Sequence, residues 1–487
     1  MPCLALLALF DLALGMPGVG LGALAPSPLL LAVALMAVLM PAARWPLAVL
    51  LAAVTALVEV DATHEAFFGR GIDVTVDARV MPRALLMLLE GFPGKGPLAI
   101  TLVVAAALAL LGLSAWLTGL LRGLGEAVGR RRGARWVASA GALCATLSLG
   151  LGGPALDPRP ATVIAAQVEA LGWAQARREA MLARMADDPL PPAAAPVGSL
   201  HVVFVESYGA ALLGEPGAGR RLGLDGLAAR VAGSGRVVLT AKVAAPIVGG
   251  RSWLSHATVL SGVMIGSDAW LDALAASGRE TLAHRMRRAG RRTVAFGPGM
   301  RGPWRHREAF GFDEVHDSDA FDYRGPPFGA LTIPDEVIAA RAAAMLAEGE
   351  RPFLAVLPLV SSHWPWGAVP KPAADWAEIG RGEGIAPVAP QGSAGERYRR
   401  GIAYALGAAF AYAAHAAELE DTVMILGDHP PAAFLTDHPR ERAVPVHVVV
   451  PEARAAAWRA RGFRDGLLPS PRGPVAPMSA VPRWLLE

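Results

Sequence analysis

The chain has 487 residues, of which 53% are hydrophobic and 18% charged, and its mean hydropathy is positive. That length suffices for two or three domains, and the apolar content implies a membrane part. Lys and Arg number 45 against 42 Asp and Glu, a net charge of +3; with no basic patch interleaved with aromatics, nucleic-acid binding is excluded. Cys3 and Cys144 are the two cysteines, both in apolar runs, so neither a disulfide framework nor a zinc spacing is available. Lysine occurs only at 95, 242 and 371 among abundant Ala and Arg. This is a compositional bias, and Ala-richness alone is not read as helix.

A transmembrane helix needs about 20 apolar residues. Residues 97–121 supply 25 without a charge, and 134–151 give a shorter run. Upstream, 4–24, 26–43 and 46–60 are three further candidates, broken at Pro26, Arg44 and Pro46. The count is five spans, with four as the alternative, because Asp11 sits inside the first. That first run also lacks the basic start of a cleavable signal peptide. Asp11 and Glu59 are read either as span-boundary residues or as functional intramembrane groups. The segment 122–135 carries five Arg and one Glu. The positive-inside rule places it in the cytoplasm, so the loop 61–96 and everything after residue 153 lie outside the cytoplasm.

Residues 154–197 read as a linker. A polar, Arg- and Glu-bearing helical stretch near 163–186 precedes the run DDPLPPAAAP. That stretch is either an interfacial helix on the membrane or a solvated spacer. Only His64 precedes residue 198, and the other ten histidines follow it, so the halves differ in chemistry.

From 198 onward, short apolar runs alternate with helical patterns: 201–205, 236–241, 292–296, 353–360, 421–427 and 444–450. This predicts an α/β domain with a mainly parallel sheet covered by helices. Ligands of such sheets sit beyond the carboxyl ends of the strands. Glu206 follows the first run, SSHWPW with His363 follows the fourth, and GDHPP with Asp428 and His429 follows the fifth. A lone histidine after a strand is usually structural; three such endings together point to a site. GGRSWLSHATVLSG (249–262) supplies Ser252. It reads either as a helix N-cap or as a nucleophile at a helix N-terminus, where N–H groups and the dipole favour an oxyanion and a phosphate.

These features together resemble the alkaline phosphatase/sulfatase superfamily, and most of all its membrane-anchored, lipoteichoic acid synthase-like phosphotransferases. The resemblance implies about five N-terminal spans (1–153), the linker (154–197) and one extracytoplasmic catalytic domain (198–487). It implies that Glu206, Ser252, Asp428 and His429 hold one divalent metal ion, Mn²⁺, Mg²⁺ or Zn²⁺, and that Ser252 is the nucleophile. His363 and Arg251 would contact the substrate phosphate. Trp304 matches a family tryptophan upstream of the segment FGFDE, and LTIPDEVI (331–338) matches a Pro-Asp-Glu segment. The family arginine after that tryptophan has three competitors, Arg305, His306 and Arg307; His306 is carried as the substrate-binding candidate. His447, inside VPVHVVV, is a further candidate near the metal, whereas His284, His316, His415 and His438 read as surface or structural. The sequence departs from the synthases in Ser for Thr at 252, Arg for Lys at 251, His256 where they tend to be acidic, and GDHPP for GDHG. It is therefore expected to be a sulfatase-like relative of the synthases.

A bound cation lowers the pKa of a serine hydroxyl and neutralises phosphate charge, and hard oxygens with one imidazole suit the three metals named. The expected reaction is ping-pong transfer or hydrolysis of phosphodiesters of lipid head groups or the envelope, phosphoglycerol or phosphoethanolamine transfer, at the bacterial inner membrane. Its partners would be membrane lipids and a lipid or glycan acceptor. A sulfate-ester hydrolase is the alternative enzyme, although the C/S-x-P-x-R context for formylglycine is missing. A non-catalytic binding protein is the alternative of another class. A serine α/β-hydrolase is disfavoured by the lack of a G-x-S-x-G elbow.

Overall fold

The structure is a computed structural model. It describes residues 44–77, 159–187, 189–193, 198–300, 304, 306–328, 333–373, 375–389, 391–438 and 440–487. The predicted spans 4–24, 26–43, 97–121 and 134–151, the Arg-rich loop 122–135 and Arg305 lie outside the described residues. The remaining span, 46–60, falls inside helix α1 (Arg44–Phe68), which runs on past Asp61 and Glu65. Among the described residues no helix is long and apolar enough to cross a membrane.

The chain forms two compact units, Met1–Ala176 and Arg177–Glu487. In the first, Arg70 grips Asp77 with two hydrogen bonds of 2.9 and 2.7 Å. Gln167 accepts from the Val74 N–H at 2.9 Å and donates to the Ile72 carbonyl at 2.8 Å. The helical stretch expected near 163–186 is α2 (Arg159–Ala186), and Val168, Leu171 and Trp173 are exposed on it.

Among the described residues the second unit is built on eleven strands: β1 (Leu200–Val205), β2 (Arg236–Ala244), β3 (Arg292–Phe296), β4 (Glu314–His316), β5 (Phe353–Leu359), β6 (Val369–Pro370), β7 (Pro387–Val388), β8 (Thr422–Gly427), β9 (Ala443–Pro451), β10 (Arg464–Asp465) and β11 (Val475–Pro477). Nine of them form one sheet in the order β10-β2-β9-β8-β1-β5-β3-β4, with β11 on β2, while β6 and β7 make a separate ribbon. Each of the six apolar runs is a strand. The centre, β8-β1-β5-β3-β4, is parallel, whereas β9 runs antiparallel to both β8 and β2.

Period-two alternation puts the two faces of β1 into two cores. Val203 and Val205 join one, and Leu200, Val202 and Phe204 the other. The first core is closed by α3 (Leu224–Gly233), α7 (Asp335–Ala347) and α8 (Ala394–His415), the second by α4 (Ser252–Ser261), α5 (Asp268–Ala276), α6 (Leu282–Arg288) and α9 (Glu452–Ala460). The start of α8 is set by a capping box: Ser393 accepts from the Glu396 N–H at 3.3 Å and Glu396 from the Ser393 N–H at 2.7 Å.

Candidate active site

The parallel register of β1 and β8 aligns Val205 with Gly427. Glu206 and Asp428 therefore leave neighbouring strands at the same level, at the carboxyl edge of the sheet. Gly427 permits this closeness: a Cβ there would meet the Tyr208 carbonyl oxygen at 2.0 Å. Across the edge, Gly249, Gly250 and Arg251 all have positive φ, 73°, 138° and 62°, a bend that glycines make cheap. Arg251 is the N-cap of α4 and Ser252 its first residue. The Ser252 hydroxyl does not cap the helix; it donates to Glu206 Oε2 at 2.7 Å and lies 3.2 Å from His429 Nε2.

Glu206, Asp428 and His429 offer ligand atoms that all lie within 4.8 Å of one another, and all three are buried. His429 Nδ1 lies 2.7 Å from the Pro430 carbonyl. That contact makes Nδ1 the proton carrier and turns Nε2 toward Glu206 Oε1 at 3.2 Å. Asp428 Oδ1 accepts from the Ser207 and His429 N–H groups at 2.8 and 2.6 Å. Ser207, with φ of 59°, also donates its hydroxyl to Glu206 Oε1 at 2.9 Å.

The electrostatics suit a cation. Burial raises the Glu206 carboxyl, but the charge and hydrogen bond of His429, followed by His363 and the Ser252 bond, outweigh it and hold Glu206 well below the usual carboxylate range. Asp428 is pushed up by burial and by the Glu206 charge. Burial opposes protonation of His429, but Asp428 and Glu206 together push its pKa up. Two carboxylates, an imidazole Nε2 and a hydroxyl at one buried point are a donor set that fits Mn²⁺, Mg²⁺ or Zn²⁺.

The other candidates are placed as follows. His363, in the turn after β5, is half-buried, bonds its Nδ1 to the Trp364 carbonyl and acts electrostatically on Glu206. The Arg251 guanidinium lies 3.9 Å from Asp268, whose other oxygen accepts from the Trp253 indole at 3.1 Å. Trp304 and His306 are not brought to the cluster by any contact: Trp304 stacks on Phe310 at 4.9 Å, and His306 pairs with Asp272 at 2.9 Å. His447 is likewise outside the metal cluster. It accepts from the Tyr208 hydroxyl at Nε2 (3.1 Å), and its Nδ1 faces Thr240 at 2.7 Å. Trp366 is packing, stacked edge-on against Tyr398 at 5.7 Å. His256 lies on Phe204 with ring centroids 4.2 Å apart; its Nε2 is buried without a hydrogen-bond partner among the described residues, and burial pushes its pKa down to about 4.

Sequence reasoning passes over Ser207 and Ser362, both next to residues it selects. Ser362 donates to the Glu206 carbonyl at 2.6 Å. Their only signal is position, beside Glu206 in VESYG and beside His363 in SSHW.

Residues 254–443 match the family model described as Sulfatase. The matched segment is sulfatase-like. The match takes in His363, Asp428 and His429 and begins two residues after Ser252. No curated protein matches the sequence. Among solved structures, the lipoteichoic acid synthase LtaP from Listeria monocytogenes is similar at 14% identity over 56% of this chain and 71% of its own, with a TM-score of 0.38. The integral membrane lipooligosaccharide phosphoethanolamine transferase A from Neisseria meningitidis is similar at 12% identity over 90% of this chain and 84% of its own, TM-score 0.43. The phosphoglycerol transferase GacH from Streptococcus pyogenes is similar at 13% identity over 56% and 72%, TM-score 0.35.

Proposed function

We propose that this chain is a metal-dependent, membrane-anchored hydrolase or transferase that cleaves phosphodiesters of phospholipid head groups or of the envelope through a covalent Ser252 intermediate. The observation that carries this reading is the Ser252 hydroxyl bonded to Glu206 at 2.7 Å inside a cluster with Asp428 and His429. A bound cation would supply Lewis acidity, lowering the hydroxyl pKa and neutralising phosphate charge. Glu206, Asp428, His429 and Ser252 would hold it.

The residues do the rest. Glu206 orients the Ser252 oxygen away from its shared proton. As the oxygen forms a bond to phosphorus, the bond from phosphorus to the lipid glycerol oxygen breaks, and the proton given up by Ser252 leaves on that oxygen as diacylglycerol. An acceptor hydroxyl of a lipid or glycan, or water, then forms the new bond to phosphorus. The serine–phosphorus bond breaks and Ser252 regains a proton. In this reading Arg251 and His363 would bind the phosphoryl oxygens, where donors stabilise developing charge.

In this reading residues 1–153 form the membrane domain, 154–197 the linker and 198–487 the extracytoplasmic catalytic domain at a bacterial inner membrane. The exposed Val168 and Leu171 on α2, with Arg178 nearby in sequence, favour the interfacial form of that helix. The test uses the full-length protein in detergent with added Mn²⁺ or Mg²⁺. Head-group release from phosphatidylglycerol and phosphatidylethanolamine analogues is measured beside hydrolysis of an aryl sulfate. Head-group release is expected, and Ser252→Ala is expected to abolish it. Full activity in Ser252→Ala removes the nucleophile assignment, and turnover of the sulfate alone makes the enzyme a sulfatase.

A further inference from the structure

The Pro-Asp-Glu segment at the start of α7 has no part in the chemistry above, yet its aspartate is fully buried and tied to the site. Asp335 has 0% exposure. Its Oδ1 accepts two N–H groups from the turn after β5, Val360 at 2.6 Å and Ser361 at 2.9 Å. The Ser361 hydroxyl returns the bond, accepting from the Asp335 N–H at 2.9 Å. Three hydrogen bonds thus join the first residue of α7 to a turn of another element.

The same turn reaches the reacting groups on both sides. Ser362 donates to the Glu206 main-chain carbonyl at 2.6 Å. His363 is fixed by its own N–H on the Val360 carbonyl at 3.0 Å. Below, Gly401 of α8 gives room for the turn, since a Cβ there would come within 3.2 Å of the Ser362 Cα. From the far side the Trp366 indole donates to the Ser362 carbonyl at 3.0 Å. Two strand ends carry metal-type or phosphate-facing groups here, Glu206 after β1 and His363 after β5; the turn carries His363 and holds the Glu206 carbonyl through Ser362, while the Glu206 N–H donates to the Leu359 carbonyl at 3.2 Å.

We infer that Asp335 is a positioning residue: by clamping the turn 360–363 it sets the Glu206 carboxylate in the metal site and the His363 imidazole beside it. The inference rests on the reading of Glu206 as a ligand. Removing the Asp335 carboxylate leaves the N–H groups of the half-buried Val360 and Ser361 without their acceptor, a loss that favours movement of the turn. Ser362 then loses its hold on Glu206. Outer partners of metal ligands change affinity by roughly 10–100-fold when lost.

The experiment measures Mn²⁺ affinity, melting temperature, kcat and KM of the full-length protein. Asp335→Ala is expected to weaken Mn²⁺ binding on the order of 10-fold. Asp335→Asn retains an acceptor at the Oδ1 position and is expected to bind Mn²⁺ close to wild type. Val337→Ala truncates a buried residue of the same helix; it is expected to lower the melting temperature and leave Mn²⁺ affinity alone, which separates positioning from general destabilisation. If Asp335→Ala does not fold, Ser362→Ala reads the same link and is expected to weaken Mn²⁺ binding. Wild-type Mn²⁺ affinity in Asp335→Ala, or in Ser362→Ala where that variant stands in, overturns the inference, as does an Asn variant as weak as Ala. Absence of head-group release from the wild type strikes the proposed reaction instead, because the Mn²⁺ series judges the clamp without turnover.

Discussion

His447 is buried in β9 directly opposite Thr240 of β2, and its hydrogen bonds have one consistent direction. Thr240 donates to the Gly466 carbonyl at 2.6 Å, so it accepts from His447 Nδ1, and Nε2 is left to accept from Tyr208. The ring is neutral, and burial pushes its pKa down from 6.5 to about 3. The folded state therefore refuses a proton that the unfolded chain takes below 6.5. Its contribution to stability is present above that value and is lost as pH falls from about 6.5 toward 3. Melting temperature against pH should fall steeply in that window for the wild type. His447→Gln keeps an acceptor and a donor but cannot titrate, so it should melt with a shallower acid slope. The slope should not vanish, because burial also holds His201 down. An unchanged slope would show that His447 is not the titrating group. At this scale the sequence pointed to the residues that the fold brings together, Glu206, Ser252, Asp428 and His429, because each is a polar residue at a strand end or helix start. Ser207, Ser362 and Asp335 were not readable as partners. Short side chains acquire a role only from the backbone that folding brings beside them, and their own sequence neighbours do not name it.

Gly427 shows how an element can be fixed by a missing side chain. It ends β8, in register with Val205, and its Cα faces the Tyr208 carbonyl so closely that a methyl group has no room. Gly427→Ala must part β8 from the turn after β1, and the groups that separate are Asp428 and the Ser207 N–H, now 2.8 Å apart. The substitution should cost about 2 kcal/mol or more of stability. In protein that remains folded it should lower head-group release more than an equally destabilising core truncation such as Ile402→Ala, in the buried face of α8. Equal activity at equal stability would show that the close approach serves packing alone. Each of the six strands could be read as an apolar run bounded by turn residues, since those signals are local. The order of the strands, the antiparallel β9 between β2 and β8, and the short strands β4, β10 and β11 could not. Pairing is decided by contacts far apart in sequence, and two- or three-residue strands carry no period to read.

The whole chain is asymmetric in a way that bears on which side of a membrane the reaction would occur. Basic residues gather between the last two apolar runs, in 122–135, while the candidate catalytic residues all follow residue 198. Arg-rich short loops stay in the cytoplasm, so the run 134–151 would carry the chain outward and leave the catalytic unit facing lipid head groups and envelope acceptors. The same loop fixes the other end by parity. With five spans the residue-1 end lies in the cytoplasm, opposite to the catalytic unit; with four it lies on the same side. Reporter fusions settle both points. A reporter active only outside the cytoplasm should work when joined after residue 193 and fail within 122–135. A cytoplasm-active reporter at the residue-1 end should work for five spans and fail for four. Activity of the external reporter within 122–135 would invert the topology. A catalytic unit facing the cytoplasm would then have no access to envelope glycans, and the acceptor would have to be a lipid of the inner leaflet or water.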